Sequence, residues 1–226
     1  MLKQILCGAT LLFAAGLSNA AIITQNFSVA NQATNISEVI TFDLFDNDGG
    51  TRTLESVLFT LHGITNGSAE VENLGPNSTD VNATLSVDIS ISTVFSGELV
   101  SLAPSVTQST TLDGFDGDID FAGVSGSKFL DLSADLMDQV ELTDGASLAA
   151  YTGIGTSSFD FIVNATSNAT GGGNLISRFI TTAGGDVSII YTYTEDLSPG
   201  VVSEPAYIAL FGMGIIAFGR FRRKTA

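Results

Sequence analysis

The chain has 226 residues, with 24 Asp and Glu against 8 Lys and Arg, giving a formal charge of −16 at pH 7 and a pI near 4.1. That balance excludes nucleic acid as a partner, because neutralising phosphates needs clustered Lys and Arg. With 44% hydrophobic and 14% charged residues the chain is not a disordered acidic tail. One Cys, Cys7, and one His, His62, leave no intrachain disulfide framework and no His/Cys set for zinc.

Residues 1–20 carry Lys3, then an apolar run over 5–17, then Ser18 and Ala20 at the −3 and −1 positions of a cleavage between Ala20 and Ala21. These are the three parts of a secretory signal peptide. Its removal takes Cys7 with it, so the exported chain is cysteine-free although its route permits disulfides. Stability must then come from core burial and backbone pairing.

The body, residues 21–202, reads as a single domain. With both ends removed it keeps three basic residues, Arg52, Lys128 and Arg178, against 23 acids, a net charge of −20. Over 81–92, Val81, Ala83, Leu85, Val87, Ile89 and Ile91 alternate with polar residues. Such a period-two run is a strand with one face on a core and one in water. The rhythm recurs at Phe159, Phe161, Val163 and Ala165, at Val187, Ile189, Tyr191 and Tyr193, and more briefly at Val57, Phe59 and Leu61. Turn-forming clusters at 46–50, Asn66-Gly67, Gly75-Pro76-Asn77 and 171–174 separate these runs. The best helical candidate is 133–139, which reads equally as a strand edge. No fixed-period repeat is present. The expected fold is an all-β antiparallel β-sandwich, flanked by a signal peptide and a C-terminal sorting helix.

Two acidic loops are candidate sites. Asp113, Asp116, Asp118 and Asp120, with Gly114 and Gly117 between them, could wrap Ca2+, which takes six to eight hard oxygen ligands. Phe121 and Ser127 occupy the positions where an EF-hand needs Gly and Glu, so the loop is not of that type. Asp43, Asp46 and Asp48 form a second candidate. The competing reading for both is a solvated turn whose charges discourage edge-to-edge association. His62, before Gly63, is expected at a strand end rather than as a base or ligand. No G-x-S-x-G elbow is present, and no local signature marks a carboxylate pair for glycoside hydrolysis. Seven N-x-S/T sequons, at Asn26, Asn35, Asn66, Asn77, Asn82, Asn164 and Asn168, follow from an Asn/Ser/Thr-rich composition.

The tail, 203–226, runs from Ser203-Glu204-Pro205 through an apolar stretch at 206–219 to Arg220, Arg222, Arg223 and Lys224. As a helix the 14-residue stretch would span about 21 Å at ~1.5 Å per residue, short of the ~30 Å hydrocarbon layer. Pro205 suits a first helical turn, and the basic cluster acts as a stop signal held on the cytoplasmic side. The stretch is expected to associate transiently with a membrane. The order of a short Glu-Pro motif, an apolar helix and a terminal Arg cluster resembles the PEP-CTERM sorting signal of Gram-negative bacteria, with Ser203 standing where that motif usually begins with Pro. The resemblance implies delivery by export machinery and processing by an exosortase-type enzyme.

A second resemblance covers most of the body. Val71-Glu72-Asn73-Leu74, the long alternating strand, the segment from Leu112 through Asp116 and Asp120 to Gly123, Tyr151-Thr152-Gly153, the glycine run at 171–174 and the closing strand resemble the bacterial "choice-of-anchor E" domain. That family pairs one extracellular domain with different anchoring tails and implies no reaction. The expectation is therefore a secreted, non-enzymatic structural or adhesive module of the outer surface or biofilm matrix of a Gram-negative bacterium, with exopolysaccharide as a partner. Two alternatives stand beside it: a filament subunit forming homo-oligomers by strand addition through residues 22–29, and a carbohydrate-active hydrolase using Asp or Glu.

Overall fold

The computed structural model describes residues 20–196, and the expected signal peptide and the tail residues Ser203, Glu204, Pro205, Arg220, Arg222, Arg223 and Lys224 lie outside them. Ten strands and one short α-helix follow in chain order, with a 3-10 turn at Asp48–Gly50 before β3: β1 (Ala20–Ala33), β2 (Ile36–Asp43), β3 (Arg52–Asn73), β4 (Thr79–Thr93), β5 (Gly97–Leu102), β6 (Ser105–Leu112), β7 (Gly126–Leu142), α1 (Gly145–Ala150), β8 (Thr156–Ala165), β9 (Asn168–Gly171) and β10 (Leu175–Glu195). One sheet has the order β1-β10-β3-β7 and the other β2-β8-β4-β5, with β6 and β9 also paired to β4. The pairings recorded between strands are antiparallel. The two sheets pack face to face, as expected of a β-sandwich.

The alternation in β4 sets this arrangement. Val81, Ala83, Leu85, Val87, Ile89 and Ile91 are all buried, and every second residue between them turns to the other face. The first half of β4 lies between β6 and β9, the second half between β5 and β8. Opposite it, β3 and β10 supply the facing side chains. One core cluster holds Phe42, Phe59, Ile89, Ile91, Phe159, Phe161, Ile189 and Tyr191. A second holds Ala69, Val71, Val81, Ala83, Leu85, Leu112 and Leu132. Phe42 meets Phe59 edge-on at 6.4 Å and stacks on Phe159 at 6.1 Å, geometries that add to the area buried.

Two local readings change and one open alternative is decided. Asn66-Gly67 does not turn the chain; β3 continues through it, opposite Ser133 and Leu132 of β7. A Cβ at Gly67 would overlap the carbonyl oxygen of Ile180, so the glycine serves close backbone approach rather than a turn. Residues 133–139 lie inside β7, while the helix forms at Gly145–Ala150, where the Asp144 side chain accepts from the Ser147 amide at 3.0 Å as an N-cap. His62 sits within β3, not at its end. Among the described residues no helix is long and apolar enough to cross a membrane.

Gly67→Ala is expected to lower stability by about 1–3 kcal/mol, because the clash is with backbone and the strands must part. Gly145→Ala, in a helix with nothing within 4 Å of the added carbon, should be neutral or stabilising by up to about 1 kcal/mol. Urea unfolding of the two variants measures the difference, and equal midpoints would contradict the close-approach reading.

Candidate functional site: the acidic loop and its buried carboxylate

The acidic loop region, 112–123, is held by two residues at the end of β3. Val71 belongs to the core, so Glu70 and Glu72 point to the opposite face of the sheet. There the chain between β6 and β7 folds back over them. Glu72 is fully buried, and its two oxygens accept separate hydrogen bonds, Oε1 from the Ser125 hydroxyl at 2.5 Å and Oε2 from the Phe121 amide at 2.6 Å. Asn73, also fully buried, is used at every polar atom of its side chain. Its Oδ1 accepts from the Gly75 amide at 2.9 Å, and its Nδ2 donates to the carbonyls of Asn77 at 2.8 Å and Asp113 at 2.7 Å. Its backbone amide donates to the Ser125 carbonyl at 2.8 Å. Two adjacent side chains thus fix both ends of the loop and the neighbouring turn, and among the described residues no buried side-chain N or O is left without a hydrogen-bond partner.

The loop accepts strain to make these bonds. Phe121 has φ 56, a left-handed conformation costly for a bulky side chain. That conformation aims its amide at Glu72. Its ring lies under the Arg178 guanidinium, 5.5 Å from the centroid, and Arg178 Nε donates to Glu70 Oε2 at 2.7 Å. This Glu70–Arg178–Phe121 stack closes the loop over the sheet through an ion pair and a cation–π contact.

Asp116 and Asp120 each bond an amide within the acidic loop. Asp116 Oδ1 accepts from the Asp118 amide at 3.3 Å, and Asp120 Oδ1 from the Ala122 amide at 2.9 Å. Asp113 contributes its backbone carbonyl to Asn73. The Asp118-amide bond, aided by a hydrogen bond from Ser125, holds the Asp116 carboxyl below its ordinary pKa of 3.8. In the second loop, Asp46 Oδ1 accepts from the Asp48 amide at 2.9 Å and Asp48 Oδ2 from the Thr51 hydroxyl at 3.3 Å. The Asp43 carbonyl accepts from Gln25 and from the Tyr191 hydroxyl, whose pKa burial pushes up. Among the described residues no three His, Cys, Asp or Glu side chains converge as a metal group. Glu72 and Asn73, the residues that organise the loop, carry no signal of their role in the alternation itself.

Two open clefts lie on the outer faces. One, of about 360 Å³, is lined by Asn26, Thr60, His62, Asp186 and Ser188 among others. His62 Nε2 is 3.6 Å from Asp135 and Nδ1 3.8 Å from Asp186. The other, about 430 Å³, contains Asp88 and Glu98. Glu98 pairs with Ser92, four residues along β4 from Asp88, and both acids line this cleft.

Glu72→Met is expected to cost about 1–3 kcal/mol for each donor left without an acceptor and to expose the loop to proteolysis between 113 and 125. Glu72→Gln should cost less, since the amide oxygen still serves Phe121 and the Ser125 hydroxyl can turn to accept. Urea unfolding with limited proteolysis reads both; a Met variant indistinguishable from the parent would refute the clamp. For Asp116, the depressed folded pKa means that its contribution is present above 3.8 and lost as pH falls through the lower folded value. The Asp118 amide resonance should therefore shift below pH 3.8 and stay constant through neutrality.

No protein-family model matches the chain, and no curated protein does. Among solved structures it is similar to capsid proteins of infectious bursal disease virus. The VP2 subviral particle is 9% identical with a TM-score of 0.23, the match covering 96% of this chain and 54% of that one. For the Gx strain the values are 9%, 0.15, 94% and 53%, and for the T13 particle 9%, 0.19, 88% and 47%. The chain spans about half the length of these capsid chains, and at such scores the likeness carries no argument about activity.

Proposed function

We propose that the chain is an exported, non-enzymatic β-sandwich module, delivered to the outer surface or extracellular matrix of a Gram-negative bacterium by its two terminal signals and serving there as a structural or adhesive unit. The observation that supports this reading is the sequence on either side of the sandwich: a signal-peptide pattern over 1–20 and an apolar stretch with a basic end over 203–226 flank the body. Ala20 pairs with Thr194, so cleavage before Ala21 would remove one terminal residue from an edge strand. The use of Glu72 and Asn73 to fix a loop, rather than to line a cleft, also suits a scaffold.

Strand addition is a second reading with an observation of its own. β7 is a long edge strand with Leu130, Leu136 and Met137 exposed. It is also interrupted: Gly67 and Ala69 of β3 face Leu132 and Phe129, leaving an extra residue in β7 at Asp131, with φ 56. Bulges and acids such as Asp135 and Asp138 blunt an edge. The proposed filament donor, β1, is already paired with β10 from Ala20 to Ala33.

Expression in a Gram-negative host that has an exosortase, followed by intact-mass analysis of the surface fraction, tests the reading. The expected species begins at Ala21 and has lost the tail near Pro205. An intact chain confined to the cytoplasm would overturn it.

A further inference from the structure

Both tails leave the sandwich at one end. β1 begins where β10 finishes, with Ala20 opposite Thr194 and Ala21 opposite Tyr193. The Tyr193 ring packs on Phe45 at 5.3 Å. Phe45 in turn exchanges backbone hydrogen bonds with the 151–153 segment, donating to Tyr151 and accepting from Gly153, each at 2.9 Å. The Tyr151 ring meets Phe95 edge-on at 5.3 Å, and its hydroxyl bonds Thr93 at 2.9 Å and Ser96 at 3.3 Å. The β4–β5 hairpin tip and the loop after Tyr151 are therefore gathered beside the tail exits. The acidic loop, clamped at the other end of β3, lies at the opposite end of the sandwich.

Three large apolar side chains stand in water at the exit end: Ile154 at 91% exposure, Val94 at 82% and Phe95 at 43%. Buried Tyr151 packs under Phe95 and bonds Thr93 and Ser96 on either side of the hairpin tip. Nine residues, 197–205, separate the described chain from the apolar stretch at 206–219. At ~3.3 Å per residue they reach about 30 Å, so once that stretch is in a bilayer the tip is tethered close to its surface. Asp46 and Asp48 follow Phe45 and Glu98 follows the hairpin, and these acids would be repelled by anionic headgroups.

We propose that Val94, Phe95 and Ile154 form a membrane-contact tip, which seats on the neutral headgroup and acyl boundary of the bilayer that holds the chain's own tail. The proposal rests on the tail reading above. Apolar and aromatic side chains partition to that boundary, and a short tether raises their effective concentration there. Docking would hold the sandwich in one orientation, acidic loop outward, until the tail is cut.

The chain has no Trp, so Ile154→Trp and Val94→Trp each give a single reporter, with Ile119→Trp in the acidic loop as the control. The full chain is reconstituted into phosphatidylcholine vesicles and its fluorescence read with and without brominated lipid. The expected result is a blue shift and bromine quenching at 154 and 94, with neither at 119. Adding Val94→Asp to the Ile154→Trp chain should return its emission to the lipid-free position, and phosphatidylglycerol should weaken the shift. Vesicle-bound chain with all three reporters unshifted would overturn the tip while leaving the anchor intact. Chain that does not bind vesicles would overturn the tail reading and the tip with it. Blue-shifted emission before any lipid is added would also overturn it, by assigning the tip to a second copy or to the chain's own tail. A shift of equal size in phosphatidylglycerol would overturn the choice of a neutral surface.

Discussion

Everything in this sandwich is arranged around β4, whose inward side chains, from Val81 to Ile91, are all fully buried. A strand buried so completely on one face fixes its register, because a slip by one residue would exchange all the apolar side chains for polar ones. The register of β4 then determines its neighbours. β6 and β9 flank its first half and β5 and β8 its second, so a single long strand seats four shorter ones. Without cysteines in the body, no covalent link is available to correct a misplaced strand. Burial and backbone pairing must suffice, and the two core clusters along β3 and β4 supply that burial at both ends.

The same strands explain why each end of the molecule differs in character. At one end β3 runs on past the core to Glu72 and Asn73, and a loop from between β6 and β7 must satisfy them. A carboxylate and an amide withdrawn from water are costly unless every oxygen and N–H finds a partner. The loop meets that demand with the Phe121 amide, the Ser125 hydroxyl and the Asp113 carbonyl, and the turn after β3 adds the Gly75 amide and the Asn77 carbonyl. Its own aspartates face solvent and cap local amides. At the other end the demand is apolar: Tyr151, Phe45 and Tyr193 fill the mouth of the sandwich, and the hairpin beyond them carries Val94 and Phe95 outward.

The sandwich class was legible because period-two alternation is a direct consequence of strand geometry, and β4, β8 and the second half of β10 show it without interruption. β3 was legible only in part. Its alternation survives Gly63 and Gly67, but those glycines look like turn residues until Ile180 is seen pressed against one of them. β7 read ambiguously because it is an edge strand, exposed on much of both faces, and edge positions lack the burial that makes a pattern strict. The short helix at 145–150 depends on the Asp144 cap, a signal that six residues cannot distinguish from an ordinary turn.

The candidate site was harder to read for a related reason. Sequence marks side chains by type, so attention falls on Asp113, Asp116, Asp118 and Asp120, which are conspicuous together. What matters in the fold is which acid loses its water, and Glu72 loses all of it to a loop some fifty residues later. Nothing local distinguishes it from Glu70, two positions earlier on the same face, which instead keeps an ion pair with Arg178. The difference arises from where the loop lands: over Glu72 it offers two donors, and beside Glu70 it leaves room for a guanidinium and an aromatic ring. The acidic segment is thus a cover fastened by β3, with Asp116 and Asp120 bonding amides inside it.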